Sequence, residues 1–348
     1  MSKEAKNYLV GLSGGADSTY TALILKNEGH HVQGAYLKMF EDADPEPARK
    51  AAEQLGIPFH LVDCTEVFEK EVLCHFANSY LQGLTPNPCV QCNRYVKIAK
   101  LCELAKKLGA DHVLTGHYGR IEKNEAGRYF VCRAENERKD QSYMLWGLSQ
   151  EQLAMLYLPL SDLEKERVRA KLQEEGLSAA QAKDSMDICF LPEGNYASFI
   201  KERVGDCPEG DFVNAKGEVL GRHKGILHYT VGQRKHLGIT LGKPMFVSKI
   251  DPKSNRITLV PSGEEYGRQA RVEQLNFQCL APQKEGVRED LMVKMRYGQK
   301  PVAVKVVFDE NGADLFFEEA ARAITPGQSA VFYLNGQLAF GGYIMPNE

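Results

Sequence analysis

The sequence predicts an α/β protein: a doubly wound parallel-sheet domain, then a small central β-rich domain, then a C-terminal antiparallel β-barrel. Three observations predict it. Up to about residue 115, short apolar runs alternate with amphipathic stretches. From about Cys207 the runs shorten and are punctuated by Gly, Pro, Asp and Asn, as in Asn214–Gly217 and Asp251–Asn255. A chain of 348 residues is also longer than one compact core usually covers.

The elements follow in order. Tyr8–Leu12 reads as a buried strand, Asp17–Asn27 as a helix and His31–Lys38 as a strand. A helix over Glu46–Leu55, a strand at Phe59–Asp63 and a long amphipathic helix over Glu66–Leu81 come next. A helix over Tyr95–Leu108 and a strand at His112–Thr115 complete the first domain's pattern. Ligands in such sheets sit at the carboxyl ends of strands, so the loops after Leu12, Leu37, Asp63 and Leu114 are the places to look for chemistry. Alternating runs at Val302–Phe308, Asp314–Phe317, Ala330–Tyr333 and Leu338–Ile344 predict the barrel. The expected domains are 1–203, 204–265 and 266–348.

No stretch approaches the roughly 18 uncharged apolar residues of a membrane-spanning helix, and the N-terminus runs directly into a strand, so a cytoplasmic chain without membrane contact is expected. The nine cysteines, an odd number with no leader before them, fit a reducing compartment rather than a disulfide framework. A net charge of −3 provides no global field for a polyanion. Nucleic-acid contact would have to come from local clusters such as Arg222–Lys224, Arg234–His236 and Lys294–Lys300.

Ser13-Gly14-Gly15-Ala16-Asp17-Ser18 follows a buried strand and opens a helix, where backbone N–H groups and the helix N-terminus form an anion site. The glycines admit a pyrophosphate close to the backbone, Ser13 and Ser18 add hydroxyls, and Asp17 is placed to hold Mg²⁺. The string resembles the PP-loop of ATP pyrophosphatases, which split ATP to AMP and pyrophosphate by adenylating a carbonyl oxygen. No G-x-G-x-x-G follows the first strand and no Gly-Lys-Ser/Thr ends the loop, which excludes dinucleotide and Walker-type sites. Leu37 is a candidate wall of the adenine pocket. Gly116 in Thr115-Gly116-His117-Tyr118 would let the nucleotide approach, with His117 facing it.

Pro86-Asn87-Pro88-Cys89-Val90-Gln91-Cys92-Asn93 reads as a rigid turn ending at a helix start, which would stabilise a Cys92 thiolate. Cys189 follows in the polar segment Lys183–Phe190. Cys64, Cys74, Cys102 and Cys132 sit in apolar contexts and read as inert packing, with Cys207 and Cys279 structural or incidental.

These segments, together with Lys139–Leu145, His228–Ile239, Lys294–Tyr297 and Pro326–Gln328, resemble the bacterial tRNA-specific 2-thiouridylase family over nearly the whole chain. The resemblance implies adenylation of the C2 oxygen of the wobble uridine in tRNAs for Lys, Glu and Gln, followed by sulfur transfer from a cysteine persulfide. It implies that Gly11–Ser18 (Gly11, Leu12, Ser13, Gly14, Gly15, Ala16, Asp17, Ser18), Leu37 and Gly116 bind ATP. Cys189 would carry the persulfide, loaded by a cysteine desulfurase or relay protein, and Cys92 would attack it, pairing transiently with Cys189. Asn87, Pro88 and Cys89 would surround the target base, while His117, Lys139, Asp140, Gln141, Arg296, Tyr297 and Gln328 would contact tRNA.

The chain departs from the family at Cys89, where most well-known members have aspartate. Cys89, Cys92 and Cys189 together suit a [4Fe–4S] cluster with one open iron, a zinc ion, or no metal. Two rival readings are a PP-loop synthetase or amidotransferase adenylating a small substrate, and a non-catalytic tRNA-binding module with a relic loop.

Overall fold

The computed structural model describes residues 4–182, 188–191 and 196–346. The first half is built on β1 (Asn7–Gly11), β2 (His31–Lys38), β3 (Phe59–Asp63) and β4 (His112–Leu114). After the hairpin β5 (Arg120–Lys123) and β6 (Tyr129–Cys132), the short β7 (Leu156–Tyr157) completes a parallel sheet in the order β3-β2-β1-β4-β7. Tyr8 pairs with Val32 on one side and His112 on the other, and Leu9 and Val10 are fully buried, as a strand covered on both faces requires. Helices α1 (Ala16–Asn27) and α2 (Glu46–Leu55) pack beside it.

Two helices differ from expectation. The run over residues 65–81 is continuous but widens to a π-helix over Glu69–Cys74. The helix expected from Tyr95 begins seven residues earlier, at Pro88. Asn87 caps it by accepting the Cys89 N–H at 3.2 Å, and Pro88 supplies a first turn that needs no amide donor. Thus the expected turn is itself the first helical turn, and it passes through a π-helix at Cys92–Lys97 before regular Ile98–Leu108.

The centre of the chain forms a four-stranded sheet of β8 (Gly210–Val213), β9 (Val219–His223), β10 (Met245–Asp251) and β11 (Arg256–Pro261), ordered β10-β11-β8-β9. β12 (Tyr266–Phe277), β13 (Gly286–Lys294), β14 (Val302–Phe308), β15 (Gly312–Arg322), β16 (Ser329–Leu334) and β17 (Gln337–Ile344) run β12-β15-β14-β13-β16-β17. Pairing of β12 with β17 closes the six into an antiparallel barrel.

The β5–β6 hairpin was not expected in that barrel's sheet. It joins through Gln337 opposite Cys132. Period-two alternation explains the graft: Phe130 and Cys132 enter the barrel core, while Val131 between them enters the core of the first half. The two cores also meet at Trp146, whose Nε1 donates to Ser329 Oγ at 2.9 Å, and at Tyr143, whose hydroxyl donates to the Ser329 carbonyl at 2.8 Å. Among the described residues, no helix is long and apolar enough to cross a membrane.

Candidate active site

A cavity of about 510 Å³ opens at the carboxyl ends of β1, β2 and β4, lined by Gly11, Leu12, Ser13, Gly15, Ala16, Asp17, Ser18, Leu37 and Gly116. The loop is drawn into a cradle by its serines. Ser18 Oγ lies 3.1 Å from Ser13 Oγ and accepts the Ser13 N–H at 3.2 Å, while Ser13 Oγ accepts the Gly15 N–H at 3.3 Å. Gly14 stands behind the cradle at φ +78°, where a Cβ would meet Pro47 at 2.6 Å, so this turn admits only glycine. No side chain caps α1 at Gly15, which leaves its first amides directed at the cavity. Gly116 closes over the same turn, since a Cβ there would lie 3.0 Å from Asp17 Cβ.

Asp17 is held on both oxygens. Tyr118 Oη donates to Oδ1 at 2.9 Å and Lys165 Nζ lies 3.3 Å from Oδ2. A Mg²⁺ arriving with phosphates would meet this carboxylate at the price of the Lys165 contact. His117 lines the cavity, with Nδ1 2.7 Å from Thr115 Oγ1. Burial, and then the Lys97 charge, pushes its pKa down to about 3, so it is a neutral imidazole there. Lys139, Gln141 and Tyr297 line the cavity as well.

One thiol, that of Cys92, adjoins this cavity. Met39 lines it, and Cys92 Sγ lies 4.0 Å from Met39 Sδ. Cys89 is half-buried, Cys92 buried and Cys189 exposed, and all nine cysteines are free. The expected stabilised thiolate at Cys92 is not what the fold provides. Cys92 is the fifth residue of its helix and only 8% exposed, packed with Phe68, Val72 and Val96, and that burial pushes its thiol up to about 11. The pull of the helix terminus has faded by that position. Lys97 opposes the burial at Cys92, and likewise at Cys89 and Cys189, whose thiols burial also raises.

The three thiols feel one another's charge, with Cys89 and Cys189 each raising Cys92 and Cys89 raising Cys189. Their chemistry suits a cluster. Their arrangement does not, because among the described residues no group of three or more His, Cys, Asp or Glu side chains is disposed to hold a metal ion. Lys183–Asp187, the start of the segment leading to Cys189, lies outside the described residues.

Cys74, expected to be inert packing, is exposed, because the π-helical turn ending at this residue leaves it on the solvent side beside Glu69. Cys64, Cys102, Cys132 and Cys279 are buried, and Cys207 is half-buried.

The residues that the resemblance assigns to tRNA fall in four places, the first being the nucleotide cavity itself, which His117, Lys139, Gln141 and Tyr297 line. Asp140 is 2% exposed and faces inward, accepting the Ala134 and Ser142 amides at 3.2 Å and pairing with Arg133 at 3.5 Å and buried Lys294 at 3.7 Å. Asn87 caps the cysteine helix, Pro88 is buried in its first turn and Cys89 is half-buried beside them. Arg296 and Gln328 line a separate basic groove of about 1040 Å³ with Lys224, Arg234, Lys235 and Arg322. Arg296 Nη2 also donates to Thr325 Oγ1 at 2.6 Å and the Ala323 carbonyl at 3.1 Å. Gln328 Nε2 donates to the Thr85 carbonyl at 2.9 Å and the Pro86 carbonyl at 3.4 Å, so it braces the loop that leads to Cys89.

Lys97, Lys165, Tyr118 and Met39 escaped the sequence reading. Residues five apart on an α-helix point about 140° apart, so nothing in the spacing of Cys92 and Lys97 signals a shared face. The π-helix, with its i→i+5 ladder, brings them together.

An uncapped helix N-terminus at the carboxyl edge of a parallel sheet, with Met39 between its cavity and the thiol of Cys92, defines a nucleotide-using enzyme. Residues 6–193 match the family described as tRNA methyl transferase HUP domain, 197–261 its PRC-barrel domain, and 268–344 an aminomethyltransferase beta-barrel domain. The chain is 40% identical to the tRNA-specific 2-thiouridylase MnmA of Clostridioides difficile over 356 residues, covering 98% of each chain. It is also 40% identical to the protein of that name from Acetivibrio thermocellus over 358 residues, covering 98% of this chain and 99% of the other. That from Clostridium acetobutylicum is 38% identical with the same coverage. The chain belongs to the tRNA-specific 2-thiouridylase family.

Proposed function

We propose that this chain is an ATP-dependent tRNA-uridine 2-sulfurtransferase, acting in the cytoplasm on the wobble uridine of tRNAs for Lys, Glu and Gln. The observation that carries the reading is the shared wall: Met39 faces the nucleotide cavity and touches Cys92, so an activated base and a sulfur nucleophile can meet. The uridine O2 bonds to the α-phosphorus, pyrophosphate departs with the bonding pair, and the N3 proton is lost to water. The terminal sulfur of a Cys189 persulfide then bonds to C2, and AMP leaves with the C–O pair. Cys92, once deprotonated, attacks the Cys189 sulfur and breaks the S–S bond, whose pair stays on the sulfur at C2; N3 regains a proton from water, giving 2-thiouridine and a Cys92–Cys189 disulfide, which a thiol reductant resets.

Cys189 is exposed as a residue although its thiol is partly desolvated, and that exposure suits loading by a cysteine desulfurase or relay protein. Neutral His117 is a hydrogen-bonding group for the base or nucleotide rather than a proton source. The basic groove carries the tRNA body, with phosphate contacts from Lys224, Arg234 and Lys235 at its rim. Each of the three family segments then has a task, with nucleotide and sulfur in the first and tRNA docking shared by the second and third.

Mass spectrometry of tRNA nucleosides tests the proposal. Cys92→Ala and Cys189→Ala each abolish 2-thiouridine formation, and retained 2-thiouridine in either variant sinks the assignment. The other expectation raised by Cys89, a [4Fe–4S] cluster on all three thiols, would need them to regroup, since among the described residues they are not disposed to hold a metal ion. Anaerobically purified protein with about four irons per chain would establish it. Iron-free protein that thiolates from a persulfide donor excludes it.

A further inference from the structure

Lys139 is assigned to tRNA by the resemblance, yet its surroundings belong to the nucleotide. Its Nζ is shut off from solvent and has no hydrogen-bond partner among the described residues. It sits 5.1 Å over the ring of Tyr118, whose hydroxyl is bonded to Asp17, and it lines the cavity shared by Ser13, Gly15 and Ser18. An enclosed ammonium without an anion is costly, so the site is built for one. Asp17 is engaged by Tyr118 and Lys165, and the uncapped end of α1 opens on the same space. Two donor systems therefore converge on one cavity. A tRNA backbone, by contrast, is met by side chains whose charged ends reach the surface.

We propose that Lys139 binds the β- and γ-phosphates of ATP and stabilises the departing pyrophosphate, so that it is a nucleotide residue rather than a tRNA contact. The proposal rests on the ATP-dependent reading above. Negative charge grows on the bridging oxygen as the Pα–O bond breaks and pyrophosphate takes the bonding pair. An ammonium fixed beside the helix terminus stabilises that charge without having to reorganise. Lys165 approaches the same phosphates from across Asp17.

The full-length protein tests this with inorganic pyrophosphate, ATP and AMP as calorimetric ligands and with tRNA binding measured over a range of salt. In Lys139→Met, pyrophosphate and ATP bind at least about tenfold more weakly, a loss fitting one charge-assisted contact. AMP binding stays the same, as do the tRNA affinity and its salt slope. Lys139→Arg recovers most of the pyrophosphate affinity. The ligand-free Met variant melts no lower than the unsubstituted protein, because the ammonium it removes is unpaired. Unchanged pyrophosphate binding overturns the proposal, and so does weaker tRNA binding with a salt slope smaller by about one. A Met variant melting well below the parent overturns it as well, by revealing a protein partner. If the unsubstituted protein binds neither ATP nor pyrophosphate, the ATP-dependent reading fails first. If it binds both and the variant matches it, only the role of Lys139 fails.

Discussion

At the scale of single residues, the active site sets two opposing forces on its thiols. Burial among Phe68, Val72 and Val96 holds Cys92 protonated, and a thiol is a far weaker nucleophile than a thiolate. Lys97 is the cation that opposes this at Cys92, Cys89 and Cys189 alike. Lys97→Gln should therefore slow single-turnover sulfur transfer by about tenfold or more, the effect of one lost neighbouring charge. Lys97→Arg should keep most of the rate. Lys100→Gln, on the same helix but paired with Glu103, serves as a charge control and should leave it unaltered. Equal rates in Lys97→Gln and the parent would remove Lys97 from the chemistry.

At the scale of elements, the cysteine helix is aimed by the barrel as well as by its own cap. Gln328 bonds to the Thr85 and Pro86 carbonyls, Gln91 Nε2 donates to the Tyr343 hydroxyl at 2.8 Å, and Thr85 N–H donates to the Pro326 carbonyl at 2.8 Å. Gln328→Ala removes a brace two residues before the helix starts. Thiolation turnover should fall by about tenfold, the worth of one to two hydrogen bonds, while ATP affinity is unchanged. A loss confined to tRNA affinity would make Gln328 an RNA contact instead. These cross-domain braces also mark the limit of what the sequence reveals. The strands β1 to β4, helices α1 and α2 and the cradle Ser13–Ser18 were legible, because apolar period, glycine and serine placement act locally. The inward turn of Asp140, the bracing by Gln328 and the π-helical alignment of Lys97 with Cys92 were not. Each depends on a partner many residues away or on a helix geometry that no spacing rule encodes.

At the scale of the whole molecule, the buried thiols set an alkaline limit to stability. Burial pushes Cys64 and Cys102 up to about 11 and Cys132 up to about 12, against about 8.5 in an unfolded chain. Folded values above unfolded ones mean that the native state binds protons more tightly. That contribution is fully present below the unfolded pKa and is lost as pH rises through the folded values. Buried Tyr143 and Tyr333 and half-buried Tyr343, raised in the same direction, extend the effect upward. The melting temperature should fall steadily from about pH 8.5 to 11. A flat calorimetric profile over that interval would contradict the reading.

The same scale decides whether the barrel is an appendage or part of the fold. The core around Leu9 and Val113 includes Val331, Tyr333 and Leu338 from the barrel, while Phe130 and Cys132 of the hairpin enter the barrel's own core. The chain's one tryptophan, Trp146, sits at that seam, fully buried, with Gly341 so close that a Cβ there would meet its ring at 2.6 Å. Two bodies sharing a core in this way lose each other's apolar cover if either opens. Denaturant unfolding followed by Trp146 fluorescence should therefore coincide with the loss of helical circular dichroism, which comes almost entirely from the first half. A chain cut after residue 265 should fail to give a soluble, cooperatively folded product, because Trp146 and Phe130 would face water. A fluorescence transition that precedes the loss of helix, or a well-folded truncated chain, would instead make the barrel a separable module. The aiming of the cysteine helix by Gln328 and Tyr343 would then be a docking event rather than a fixed feature of the fold.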